Sequence, residues 1–460
     1  MSKTSTKAKL CSAIAVVTLG VTVSACGSQS GTGNTQTKSS GNSDSITLTI
    51  FTSKYTANPQ AQEQFLNKLA SEFEQQNPGI KVEFTYYDSA SQENTTLQTS
   101  LATKQGPDIF DIGTTFVPTA YAMNGFHVLS QKDWNKVGGM DKFFPAQLKM
   151  SGPSPDKYIA VPWEMVPFGL VYNKKLLKEA GIASAPKTWT EFVQDAQKLT
   201  NPAKNQWGTA IDPADSFDPW HVGWVLTKQL GGDFVSSDLK QATLGSAAVV
   251  KGLTFWFDWV QKYKIASPND LTYKGTDQLR EFENGHVAML VMQGASLIPS
   301  LESSAVKNDY AFAPMPTIPY GMNAMPKGGV PVQTFVSGND FAVPKYVTGK
   351  RYDAALKWIK FFTDVPQQRE MFKVYGNMPI NVNAFKNNPE LNTPVIKAFV
   401  DAENHAYPIP FTPAWANIEV VYGGVANKIA NEIATHSYHD GDIAAALKAA
   451  NQQAQSSLQQ

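Results

Sequence analysis

Val161-Pro162-Trp163-Glu164-Met165-Val166-Pro167-Phe168-Gly169-Leu170-Val171-Tyr172-Asn173-Lys174-Lys175-Leu176-Leu177 is the stretch on which the fold turns. An apolar run, Tyr158 to Val161, leads in and meets Pro162, which has no backbone donor and closes the run. Trp163 and Glu164 then set an indole beside a carboxylate. A second apolar run, Phe168 to Tyr172, passes into Asn173–Leu177, where the spacing becomes helical. Strand, polar-aromatic turn, strand, helix is the order expected where a chain leaves one lobe for another. Trp163 and Glu164 are therefore expected to face a cleft between lobes. A plain buried strand–helix junction has the same apolar pattern, so the choice rests on the rest of the chain.

Upstream, the pattern is that of a layered lobe. Ile46, Leu48 and Ile50 take one face of a strand, with threonines on the other. A helical stretch carries Phe65, Leu66, Leu69 and Phe73 on one side and is stopped by Asn77-Pro78-Gly79. Ile80, Val82, Phe84 and Tyr86 alternate as a second strand, and Leu97 and Leu101 mark a second helix. Gly106-Pro107-Asp108 turns into a third strand through Ile112. This βαβαβ order predicts a parallel sheet covered by helices. Ligands of such sheets sit at the carboxyl ends of the strands, which picks out Lys54, Tyr55, Thr114, Thr115 and Phe116.

Lys3, Lys7 and Lys9 precede an apolar stretch, Leu10 to Val23, sized for a signal peptide and short for a membrane span. It ends in Val23-Ser24-Ala25-Cys26-Gly27, which resembles the bacterial lipobox. The resemblance implies a lipoprotein signal over 1–25, cleavage before Cys26, lipidation of its sulfur, and an anchor on the outer face of the cell membrane, extracellular or periplasmic. An ordinary signal with an incidental cysteine is the plainer alternative. Residues 26–45 are Ser, Gly, Thr, Asn and Gln with almost no apolar side chain, and read as a disordered tether. Cys11, the one other cysteine, would leave with the signal, so neither a disulfide nor thiol chemistry is expected.

The full chain balances 39 Lys and Arg against 39 Asp and Glu, and loses three lysines with the signal. No basic surplus is left for phosphates, which argues against a nucleic-acid partner. The folded remainder exceeds what one core comfortably holds, so about two lobes are expected.

Several segments now fall into order. They are a helix ending Phe73-Glu74-Gln75-Gln76-Asn77-Pro78-Gly79, then Gly106-Pro107-Asp108-Ile109, then the hinge Leu170-Val171-Tyr172-Asn173-Lys174-Lys175-Leu176-Leu177. Pro186-Lys187-Thr188-Trp189-Thr190-Glu191 follows, in which Thr188 and Glu191 form a capping box. Phe282 to Met292 and Tyr375-Gly376-Asn377-Met378-Pro379 complete the series. The series resembles the family-one extracellular solute-binding proteins of ABC sugar importers, the maltose-binding-protein-like group. The resemblance implies a two-lobed, periplasmic-binding-protein-like α/β fold, each lobe a mainly parallel sheet flanked by helices, joined by three hinge crossings. The expected N-terminal lobe is 46–161 with 336–375, and the C-terminal lobe 162–335 with 376–460. It implies a monomer that captures a mono- or oligosaccharide by hinge closure and passes it to membrane permease subunits, without catalysis or cofactor.

A sugar offers apolar ring faces edged by hydroxyls, so aromatic plates and bidentate acids and amides are sought. Asp218-Pro219-Trp220 supplies an acid and an indole, and by resemblance Trp220 sits at a cleft position. Trp415, in Pro410-Phe411-Thr412-Pro413-Ala414-Trp415, lies at another. Gln293 and Gly294 follow the Phe282–Met292 segment, where family members often carry Trp; here it is absent, which puts stacking on that wall in doubt. The candidate site is thus Lys54, Tyr55, Thr115, Phe116, Trp163, Glu164, Asp218, Trp220, Gln293, Gly294 and Trp415.

No Gly-x-Ser-x-Gly elbow, phosphate loop or His-Glu-x-x-His occurs. His436 and His439 have no cysteine or carboxylate pattern to make a metal site. The enzyme alternative is a cell-surface glycoside hydrolase with Glu164 and Asp218 as its paired carboxylates. A further alternative is a binding protein for a non-sugar solute.

Overall fold

The computed structural model describes residues 45–54, 59–88, 90–215 and 218–459. The signal, Cys26, nearly all of the tether and Tyr55 lie outside the described residues.

Ten strands form two sheets. The first contains β1 (Ile46–Ser53), β2 (Ile80–Tyr87), β3 (Ile109–Gly113), β4 (Ala160–Met165), β9 (Gly338–Ala342) and β10 (Met378–Pro379), in the order β10-β4-β9-β3-β1-β2. The second contains β5 (Phe168–Asn173), β6 (Trp207–Thr209), β7 (Val287–Gly294) and β8 (Tyr310–Ala313), in the order β6-β7-β5-β8. Helices cover both sheets, giving the expected two-lobed α/β fold. The sheets are mixed rather than mainly parallel. β1 pairs parallel with β2 and β3, and β6 with β7, whereas β9 runs antiparallel between β3 and β4, and β5 is antiparallel to both neighbours. The reason is connectivity: β5 and β9 arrive directly through the hinge, without the helical crossover that a parallel pairing requires.

The helix at Pro59–Gln76 buries Phe65, Leu66, Leu69 and Phe73 against the first sheet, and Phe73 meets Trp358 edge-on at 5.2 Å. Trp358 belongs to the returning helix Gly349–Phe362, whose Ala355, Ile359 and Phe362 share its buried face. In the second lobe Thr188 caps the helix Trp189–Leu199, with Glu191 reaching back to form the capping box read from the sequence. The last helix, Asp442–Leu458, is packed to its end: Ala454 is buried and Gln455 Oε1 accepts from the Ala242 amide at 2.8 Å.

The crossings fall later than the sequence placed them. β4 continues through Pro162 to Met165, accommodating the proline at a register shift between Pro162 and Glu164 opposite β9. The chain leaves the first sheet at Val166-Pro167, where the Val166 amide donates to the Ser337 carbonyl at 2.8 Å. The return is as tight. Gly338 has φ +153°, and a Cβ there would come within 2.4 Å of the Glu164 carbonyl oxygen, so only glycine fits. β10 pairs with Met165 and Glu164, so the third crossing follows Pro379 rather than Tyr375.

Candidate functional site

The parallel strands β1, β2 and β3 end at Ser53, Tyr87 and Gly113, and polar side chains collect at that edge. Asp111, wholly buried near the end of β3, accepts from Thr52 Oγ1 at 2.6 Å and from Trp163 Nε1 at 2.7 Å. Burial pushes its carboxyl up to about 6, held back by those donors. Asp340 on β9 accepts from Thr114 Oγ1 at 2.7 Å and is pushed up to about 7 by burial. Glu93, nearly buried in the helix Ala90–Thr103, reaches about 8 through burial and then the charge of Asp111. Sequence reading missed all three acids, because only the pairing of β3 with β9 and the packing of the helix Ala90–Thr103 bring them together.

On the second lobe a recess of about 420 Å³ opens beside the hinge. Phe168 of β5 and Gln293 and Gly294 of β7 form one wall, and Asp212, Asp218, His221, Gln278 and Ser296 supply polar groups. Asp212 accepts from Gln278 Nε2 at 2.6 Å, and burial followed by the charges of Asp218 and Asp215 raises its carboxyl well above the ordinary range. Asp218 lines the recess, with 46% of its side chain exposed. Desolvation, with the charge of Asp215, pushes its carboxyl up to about 7. The His221 ring lies 5.2 Å from that of Phe168 and 4.9 Å from that of Phe335, and burial drives its pKa down to about 3, so it is neutral in use. Its Nδ1 stands 3.8 Å from Asp218 Oδ1. The wall is therefore aromatic, acidic and amide-bearing, with neither lysine nor arginine among its lining residues.

Three sequence-chosen residues, Asp218, Gln293 and Gly294, meet in this recess. The three tryptophans do not face it. Trp163 is 3% exposed, lies parallel to Phe341 at 5.7 Å and spends its N–H on Asp111. Trp220 and Trp415 are both 0% exposed, edge-to-face with each other at 5.6 Å in the second-lobe core. Glu164 is also 0% exposed; Asn339 Nδ2 donates to one of its oxygens and Asn377 Nδ2 to the other, at 2.7 Å. Each had looked available because it follows a proline or lies near one in a polar stretch, but the second layer of packing closes over it. Thr115 and Phe116 are half-buried in the short turn after β3, where Thr115 bonds to Glu419 of the second lobe. Nearby, Thr119 Oγ1 donates to the Pro413 carbonyl at 2.9 Å and Tyr121 meets Phe411 edge-on at 5.9 Å. These residues join the lobes at one edge. Lys54 is exposed, its Nζ 5.8 Å above the Tyr86 ring.

The recess thus presents shape and hydrogen-bonding groups. With both oxygens of Glu164 engaged by amides, it is not a free partner for Asp218, and the carboxylate pair of a glycosidase is not assembled from these two residues.

Comparison with known proteins shows the family. The family model for bacterial extracellular solute-binding proteins matches residues 56–369. The maltotriose-binding protein of Pyrococcus abyssi is 25% identical over 390 residues, 84% of this chain and 77% of its own. The diacetylchitobiose-binding protein DasA of Streptomyces coelicolor is 26% identical over 423 residues, 90% of this chain and 91% of its own. Among solved structures, maltose-bound MalE3 of T. maritima superposes with a TM-score of 0.73 at 22% identity, covering 89% of this chain and 99% of that one. The relatives are binding proteins rather than enzymes by name, and this chain belongs to the bacterial extracellular solute-binding protein family.

Proposed function

We propose that the protein captures a sugar, most simply a short oligosaccharide, between its lobes and delivers it to an ABC importer. The observation that carries this reading is the recess beside the hinge. It offers an aromatic floor at Phe168 and His221, acceptors at Asp212 and Asp218, and two-sided amides at Gln278 and Gln293. Pyranose faces lie on such rings, and their vicinal hydroxyls donate to such carboxylates. The names of the maltotriose-binding and diacetylchitobiose-binding relatives support the same class of ligand.

In this reading the first-lobe acids Asp111, Asp340 and Glu93 lie behind the opposite wall. A sugar that touches both walls stabilises the closed arrangement by its extra contacts there. Moving a mostly open population to a mostly closed one takes about 5 kcal/mol of differential affinity, within the roughly 8 kcal/mol of micromolar binding. Lipid on Cys26 would hold the folded part at the outer face of the membrane, close to the permease subunits. No described helix is long and apolar enough to cross a membrane by itself.

The test is titration calorimetry against gluco-oligosaccharides and chito-oligosaccharides, with chromatography of the same mixtures. Saturable binding without shortened product is the expected result. Product formation would turn the reading toward a hydrolase, and silence toward every glycan would turn it toward another solute.

A further inference from the structure

The hinge contains a buried acid that ligand capture does not use. Glu403 lies on the helix Pro394–Asn404, which packs on β5 and β8 of the second sheet. Gln147 lies on the short helix Pro145–Leu148, against β4 of the first sheet. Both side chains are 0% exposed. Gln147 Nε2 donates to Glu403 Oε1 at 3.1 Å and to the Ser337 carbonyl at 2.9 Å. That carbonyl also receives the Val166 amide, so one cluster touches two of the crossings.

What is left over is complementary. Gln147 Oε1 and Glu403 Oε2 are buried acceptors with no donor among the described residues. A proton on Oε2 would turn one of them into a donor, and acid and amide would then make two opposed hydrogen bonds instead of one. We infer that Glu403 is kept as the neutral acid and that its proton, shared with Gln147, fastens the two lobes together at the hinge.

The electrostatic surroundings agree. An ionised carboxylate with a single neutral donor is costly to bury, and burial pushes this one up to about 8, with Gln147 pulling slightly the other way. The elements packed against it, Pro145–Leu148, β5 and β8, contain no Asp, Glu, Lys, Arg or His. Their titratable groups are Tyr172 and Tyr310, and the Tyr310 hydroxyl donates to Glu302. On its own helix Lys397 and Asp401 are exposed, and His405 beyond its end is too.

The experiment compares the full-length chain with Glu403→Gln across pH by calorimetry. An unfolded glutamate releases its proton near 4.5 and this folded one near 8. The wild type therefore loses stability as pH rises through that window and levels off above it. The glutamine keeps both hydrogen bonds at every pH. Its melting-temperature advantage should widen from about pH 5 to about pH 8 and then stay constant. As a second readout, the carboxyl ¹³C resonance lost in Glu403→Gln, and moved in Gln147→Met, should be that of a neutral acid at neutral pH. A pH-independent difference between the two proteins, or an ionised resonance, overturns the inference.

Discussion

The indole nitrogen of Trp163 donates to Asp111 Oδ1 at 2.7 Å. The bond runs from β4 to β3, over the intervening β9, whose Phe341 lies parallel to the indole. Trp163 is thus a strut beneath the strand ends. Trp163→Ala should cost about 3–5 kcal/mol of unfolding free energy. Trp163→Phe keeps most of the packing but deprives the buried Asp111 carboxyl of one of its donors, at about 1–3 kcal/mol. Denaturant unfolding measures both.

Glu164 makes a related prediction. Its carboxylate is the acceptor for two buried asparagine amides, so Glu164→Ala removes that acceptor from both and should cost about 1–3 kcal/mol for each buried hydrogen bond lost. If Trp163→Ala and Glu164→Ala both melted like the wild type yet lost sugar affinity, the cleft-facing assignment made from sequence would be right after all.

Asp218 should make ligand capture sensitive to pH. Its carboxyl loses a proton near pH 7, and a sugar hydroxyl is best accepted by the ionised form. Affinity for a glycan that binds should rise by up to about tenfold per pH unit below pH 7 and level off above it. Asp218→Asn should bind more weakly at high pH and show a flattened profile. His221, held near 3, contributes nothing to this slope. Calorimetric titration at four pH values tests it; an unchanged slope in the variant excludes Asp218 as the source.

The fold itself should prefer mildly acidic conditions. Asp111, Asp340, Glu93 and Glu419 hold their protons to about 6, 7, 8 and 8 when folded, chiefly because burial disfavours their charge. Unfolded, they release them near 4, so the folded state binds more protons in between and stability falls as pH rises through that window. The melting temperature should be higher near pH 5 than near pH 8 and change little beyond. A scan that rises over that range would show that other groups dominate.

Cys26→Ser should abolish lipidation. If the lipobox reading holds, labelled fatty acid will be incorporated into the wild type and not into the variant. Absence of label from the wild type, or equal label in both, would refute the anchor.

Much of the fold was legible because its signals are local. The helix Pro59–Gln76 and the strands at Ile46 and Ile80 follow from side-chain periods of 3.6 and 2, and the capping box of Thr188 and Glu191 from their spacing at a helix start. Strand direction was harder. Nothing local marks β9 as antiparallel, since its direction depends on which side of the hinge the chain comes from.

The site divides in the same way. The sequence by itself determined the family order of segments and the presence of acids and amides near the ends of strands, because these are properties of neighbours in the chain. Only the tertiary structure decided that Trp163, Trp220 and Trp415 are buried while Asp212, His221 and Gln278 line the recess. Exposure depends on what packs above a side chain, and here those neighbours come from remote segments: Phe341 over Trp163, and Phe335 beside Trp220.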